Sequence, residues 1–161
     1  MLKEHFRSVA PIIEFSKREF YNHELIPLRK AKPSERLDPP LIDVYVNDGY
    51  RLKNSDVNHS EIRFIVDEIK TIVSDPTYKG KTIGVVSLLG NKQAHTIMEI
   101  LNKELDETVM TAFDIACGDA RTFQGKERDI IFLSLVVAPG AAQAQTRDTF
   151  AQRLNVAASR A

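Results

Sequence analysis

The 161-residue chain has one cysteine, no excess of either charge and no long apolar run, and each of these shortages excludes something. With Cys117 alone there is no internal disulfide, which fits a reducing compartment. Twenty-two basic residues balance 22 acidic ones, so no global field draws the chain to nucleic acid or to a membrane surface. Any such binding must come from a local patch or from a partner surface. No stretch reaches the ~18 consecutive apolar residues of a membrane span. Leu2–Arg7 (LKEHFR) is too charged for a signal peptide. Together these absences predict a cytoplasmic protein, or a piece of one, without a membrane partner.

Sites of several kinds are missing as well. His5, His23, His59 and His95 lie far apart and Cys117 has no companion at ligand spacing, so no metal site is expected. Nothing resembles a nucleophile elbow. Gly80-Lys81-Thr82 has the ending of a phosphate loop without the rest of it. Such a loop needs a further glycine five positions earlier, a strand before it and a helix after it, so that backbone N–H groups surround the phosphates. Here Asp75 holds the earlier position and an apolar strand-like run follows. The triplet is therefore read as a plain turn, leaving no evident site to bind a triphosphate unaided.

What is present suits one α/β domain: the chain is 43% hydrophobic and long enough to bury one core. Pro11 sits where a first helical turn tolerates it, ahead of an incomplete apolar stripe of Ile12, Ile13, Phe15 and Phe20. Residues 22–40 are polar and proline-rich and read as a surface connection. Leu41–Val46 (LIDVYV) reads as a strand ended by the turn residues Asn47-Asp48-Gly49. Ile62, Ile65, Val66, Ile69, Ile72 and Val73 recur at helical spacing before Pro76. Thr82–Leu89 is a second buried strand, followed by a helix whose apolar face carries Ala94, Ile97, Met98, Leu101 and Leu105. A short strand is expected around Asp114–Cys117. The closing segment FAQRLNVAASRA suits a helix. Strand and helix alternating in this order predict a right-handed parallel sheet.

The chain is organised around Thr122–Val137 (TFQGKERDIIFLSLVV), a charged turn running directly into a β-branched and aromatic stretch. The apolar part reads as the central strand, buried on both faces, and the turn as a rigid edge of the kind at which open α/β sheets present ligands. Charged turns are ordinarily solvated, but other groups accompany this one. Glu127 can accept hydrogen bonds from sugar hydroxyls, Arg7 and Arg160 can clamp phosphate oxygens with planar donors, and Phe6 can stack on a base. Together they would make half of a nucleotide site, the half that acts from across a cleft.

Four blocks carry a family resemblance: EHFRSVAPIIEFSKREFY, IGVVSLLGNKQ, GDARTFQGKERDIIFLSLV and QRLNVAASRA, in that order. They resemble motif IV, the following strand-turn motif, motif V and motif VI of superfamily-one DNA/RNA helicases of the Upf/Dna-type AAA group. The resemblance spans almost the whole chain. It implies a RecA-like P-loop NTPase fold, a three-layer α/β sandwich with a mainly parallel sheet and no Walker A loop. Residues 1–161 would then be the C-terminal RecA-like domain of a larger helicase, cut at Met1.

By position, the resemblance implies that Phe6 contacts adenine, Arg7 reaches the γ-phosphate, Glu127 holds the ribose, Gly125 lets the turn approach closely and Arg160 is the arginine finger. Arg7 and Arg160 are the catalytic candidates. Ser87, Thr122 and Gln124 would face single-stranded DNA or RNA. ATP and Mg²⁺ would bind in a cleft shared with an N-terminal RecA-like domain, which would supply the metal ligands. Ser87-Leu88-Leu89 stands where many relatives have Thr-Pro-Tyr, and Arg121 where they often carry Asp or His. Two other readings remain open: a non-catalytic helicase-like interaction module, and an unrelated doubly wound domain binding a small anion.

Overall fold

The computed structural model describes residues 4–5, 8–29, 37–51, 55–124, 126–138 and 148–158. Strand β3 (Ile83–Ser87) is its centre, and all five of its residues are buried. It pairs in parallel with β4 (Ala116–Asp119) on one side and β5 (Ile130–Ser134) on the other. Register sets Val85 beside Cys117 and Phe132, and Ser87 beside Asp119 and Ser134.

Successive β3 side chains enter opposite layers, as the two-residue period of a strand requires. Ile83 and Val85 face α2 (His59–Ser74) and α3 (Asn91–Glu104), meeting Ile62, Ile65, Val66, Ile69, Ile97 and Leu101 in the larger core cluster. The short helix α4 (Glu107–Ala112) adds Val109 and Met110 to that layer. Val86 enters the other layer, where Leu88, Ala120 and Phe123 meet Leu154 and Ala157 of α5 (Asp148–Ala158). Helix α1 (Ala10–Phe20) packs on α5. The result is the expected three-layer α/β sandwich with a parallel sheet, consistent with a RecA-like fold.

Local chemistry explains the element ends. Pro11 lies in the first turn of α1, where its missing N–H costs nothing. Asn58 caps α2, its Oδ1 accepting the N–H of Glu61 at 3.2 Å. Past α2, Asp75 Oδ1 accepts from the N–H of Thr77 at 2.8 Å and closes a short 3₁₀ turn at Pro76–Tyr78.

Three expectations need correction. Leu41–Val46 forms no strand: it pairs with no described strand, and Leu41, Ile42, Val44 and Tyr45 are all exposed. Strand propensity describes fit to a half-buried sheet surface, and this segment lies on none. Next, Ile130–Val137 is not the central strand. Regular pairing ends at Ser134, residues 130–133 are only partly buried, and Val136 turns to a φ of 58°. The centre belongs to Ile83–Ser87, whose run of small and β-branched residues fits between two neighbours. Finally, residues 22–40 are more than a connection, because Ile26–Pro27 forms β2, paired in parallel with β1 (Glu4–His5).

Candidate functional site

The carboxyl edge of the sheet ends in a polar row, Asp119, Ser87 and Ser134, set side by side by the register. Asp119 folds the chain that leaves β4. Its Oδ1 accepts from the N–H of Arg121 at 2.9 Å, the N–H of Thr122 at 2.9 Å and Thr122 Oγ1 at 3.1 Å. Partial burial alone would raise the Asp119 carboxyl, but these donors and the Arg121 charge outweigh it and hold the group below its ordinary value. Gly118 makes the fold-back feasible, since a Cβ there would lie 2.5 Å from Thr122 Cβ.

From that edge the chain crosses the sheet to its amino edge. Phe123 is fully buried and lies over Gly84, where an added Cβ would stand 2.8 Å from the ring. Glu127 is exposed on the crossing. Arg128 Nη2 meets Asp114 Oδ2 at 3.0 Å, and its Nη1 donates to Glu127 O at 2.9 Å. The crossing ends at Asp129, whose Oδ2 accepts from the Thr82 N–H at 2.9 Å and from Thr82 Oγ1 at 2.8 Å. Thr82 Oγ1 in turn accepts from the Asp129 N–H at 3.0 Å, and Lys81 Nζ lies 3.9 Å from Asp129 Oδ1. The N–H and hydroxyl of Thr82 are thereby engaged with a carboxylate in place of a phosphate.

Beside Ser134 a buried polar cluster joins three elements. The Asn58 N–H donates to Gln93 Oε1 at 2.6 Å, Gln93 Nε2 donates to Ser134 Oγ at 2.6 Å, and Asn58 Nδ2 donates to Val137 O at 2.8 Å. Glu61 Oε2 accepts the N–H of Val136 at 3.0 Å. Burial pushes the Glu61 carboxyl above its ordinary value, opposed by hydrogen bonds from Ser134, Gln93, Val136 and Leu135. Ser87 Oγ, nearby on the same edge, is buried without a hydrogen-bond partner among the described residues.

Helix α5 reaches this edge from the other layer. Arg153 Nη1 donates to the backbone oxygen of Leu88 at 3.1 Å, while the Leu88 N–H donates to Ser134 O at 2.9 Å. Leu154 and Ala157 pack in the cluster that holds Leu88 and Phe123.

A family profile described as an AAA domain matches residues 1–161, the whole chain. The chain belongs to the AAA domain family. It is also 32% identical, over 146 residues, to an uncharacterized ATP-dependent helicase of Mycoplasma genitalium. That match covers 84% of this chain and 12% of the relative, so the chain spans about an eighth of that protein's length. Both findings bear out the resemblance to a superfamily-one helicase-type domain.

Within this AAA domain the sequence-predicted residues fall into two groups. Phe6, Arg7, Gly125 and Arg160 lie outside the described residues. Ser87, Thr122, Gln124 and Glu127 lie within them, and all belong to the carboxyl edge or to the crossing that starts there. Thr122, Gln124 and Glu127 are exposed, whereas Ser87 is 1% exposed. Helices α1 and α5, whose ends adjoin the segments holding Arg7 and Arg160, pack together.

Sequence reasoning missed the Glu61, Gln93 and Ser134 cluster and the Arg153 bond. A signal for the first was present: Asn58 and Glu61 have capping-box spacing. Asn58 caps as that motif predicts, but Glu61 turns to Val136 instead of back to its own helix. No helix among the described residues is long and apolar enough to cross a membrane.

Proposed function

We propose that this AAA domain is the C-terminal motor domain of an ATP-dependent superfamily-one DNA/RNA helicase acting in the cytoplasm. ATP binds between it and an N-terminal RecA-like domain of the same protein. Phe6 takes the adenine, Glu127 the ribose hydroxyls, Gly125 the close approach of the turn, and Arg7 and Arg160 the γ-phosphate. Single-stranded nucleic acid runs along the carboxyl edge at the exposed Thr122 and Gln124, while Ser87, the third candidate of that edge, is buried and shapes it from within.

The observation that carries this reading is the Asp129–Thr82 pair. It occupies the donors of Thr82 in the one phosphate-loop-like triplet, which supports reading this AAA domain as one that shares its nucleotide with another domain. Glu127 is exposed, as a ribose acceptor must be. Among the described residues no three metal-ligating side chains gather, and the proposal assigns the Mg²⁺ ligands to the N-terminal domain. Bound there, Mg²⁺ would neutralise charge on the transferring phosphate.

The test is ATP hydrolysis by the full-length protein. Removing an arginine finger costs ~10³–10⁵ in rate, about 4–7 kcal/mol of barrier, and Arg160→Ala is expected to fall in that range. Arg7→Ala is expected to lower the rate steeply as well. Full ATPase activity in both variants would instead favour a helicase-like module that serves only for docking.

A further inference from the structure

The bond from Arg153 to Leu88 joins two parts that the proposed function keeps apart. Leu88 follows Ser87, on the edge assigned to nucleic acid. Arg153 lies on α5, the helix whose end adjoins the segment holding Arg160. Both backbone groups of Leu88 are held, its N–H by Ser134 O and its oxygen by the Arg153 guanidinium.

Packing follows the same route. Leu88 and Phe123 are fully buried and adjoin the candidate nucleic-acid contacts, Leu88 next to Ser87 and Phe123 between Thr122 and Gln124. Both belong to the cluster completed by Leu154 and Ala157 of α5. Thr122 and Gln124 therefore share a buried neighbour, Phe123, that packs in the cluster completed by the helix. Packed interiors resist graded deformation, so a shift of that edge moves α5 or breaks these contacts. Arg153 is the one polar link on this route among the described residues.

We propose that Arg153 is a positioning residue that couples the nucleic-acid edge to the arginine finger, so that strand binding sets α5 and thereby Arg160. This rests on the proposed function above. Its Nη1 is engaged with a backbone oxygen, and it is through this bond to Leu88 that it acts on the strand. A lysine at this position could still donate one bond to the Leu88 oxygen, without the planar fork.

The experiment measures ATP hydrolysis by the full-length protein with and without a single-stranded oligonucleotide, together with oligonucleotide affinity over a range of salt. Arg153→Ala is expected to keep the basal rate and the oligonucleotide affinity within about twofold, with an unchanged salt slope. It is expected to lose tenfold or more of the stimulation at saturating oligonucleotide. Arg153→Lys is expected to recover part of that stimulation, which separates lost coupling from lost folding.

The proposal is overturned if Arg153→Ala weakens binding with a salt slope reduced by about one while stimulation at saturation stays intact, because that marks a phosphate contact. It is equally overturned if stimulation is unchanged, or if basal and stimulated rates fall by the same factor in both variants. Failure of the parent reading looks different: the wild-type protein then shows no stimulation at all, or Arg160→Ala leaves hydrolysis intact.

Discussion

Gly84 shows how closely the charged crossing is fitted to the sheet. A Cβ there would stand 2.8 Å from both the Phe123 ring and Ile131 Cδ1, on a fully buried strand. Overpacking of this kind costs about 1–3 kcal/mol, so Gly84→Ala should lower the free energy of unfolding by that amount, read as a lower urea midpoint with an unchanged slope. Cys117 offers a second single-residue measurement. Burial pushes its thiol up to about 12, which leaves almost no thiolate at neutral pH. Alkylation should be slow in the native protein and become fast once denaturant exposes the side chain.

Two carboxylates at the carboxyl edge give opposite pH dependences. Glu61 is raised above 4.5, so its contribution to stability is present below that value and lost as pH rises through its folded-state value. Asp119 is lowered below 3.8, so its contribution is present above that value and lost as pH falls through its folded-state value. Denaturant melts across pH should therefore respond differently to two substitutions. Glu61→Gln should remove a decline on the rising side, and Asp119→Asn a decline on the acid side. Identical profiles for the wild type and both variants would contradict this assignment.

Among the elements, α2 depends most on a single side chain. Asn58 caps its first turn, holds Val137 O and accepts from the N–H of Tyr50 at 3.3 Å. Asn58→Ala should cost about 1–2 kcal/mol, the upper range for a helix cap, because the Val137 oxygen also loses its donor. Thermal unfolding measures it.

The helices were legible in the sequence because their signals are local: Ile62, Ile65, Val66 and Ile69 share a face whatever lies opposite. Strand β3 was legible for a similar reason, since a run buried on all sides has little else to be. The rank of the strands was not legible. Ile130–Ser134 is as apolar as Ile83–Ser87, and only pairing decides which of them has two neighbours. Leu41–Val46 has strand composition without a partner among the described strands, a fact about the rest of the molecule. The candidate site divides in the same way. The family resemblance pointed to Thr122, Gln124 and Glu127, whereas Arg153 and Leu88 are 65 residues apart and meet only through the fold.

At the scale of the whole molecule, the proposed function makes the isolated domain an incomplete enzyme. These 161 residues alone should not hydrolyse ATP above the uncatalysed rate, and a phosphate-release assay on the purified chain checks this. Robust hydrolysis by the isolated chain would contradict a shared site. The M. genitalium relative, of which the match covers 12%, leaves ample length for a second motor domain in a protein of that size.

The crossing from Asp119 to Asp129 has one more consequence. It is pinned at the carboxyl edge by the Asp119 bonds, at the amino edge by Thr82 and in the middle by Phe123 over Gly84. In mechanical terms it is a tie bar laid across the sheet with no slack. Residues added between these anchors would have to leave its path over the sheet. Length in this part of the chain is therefore as constrained as residue identity.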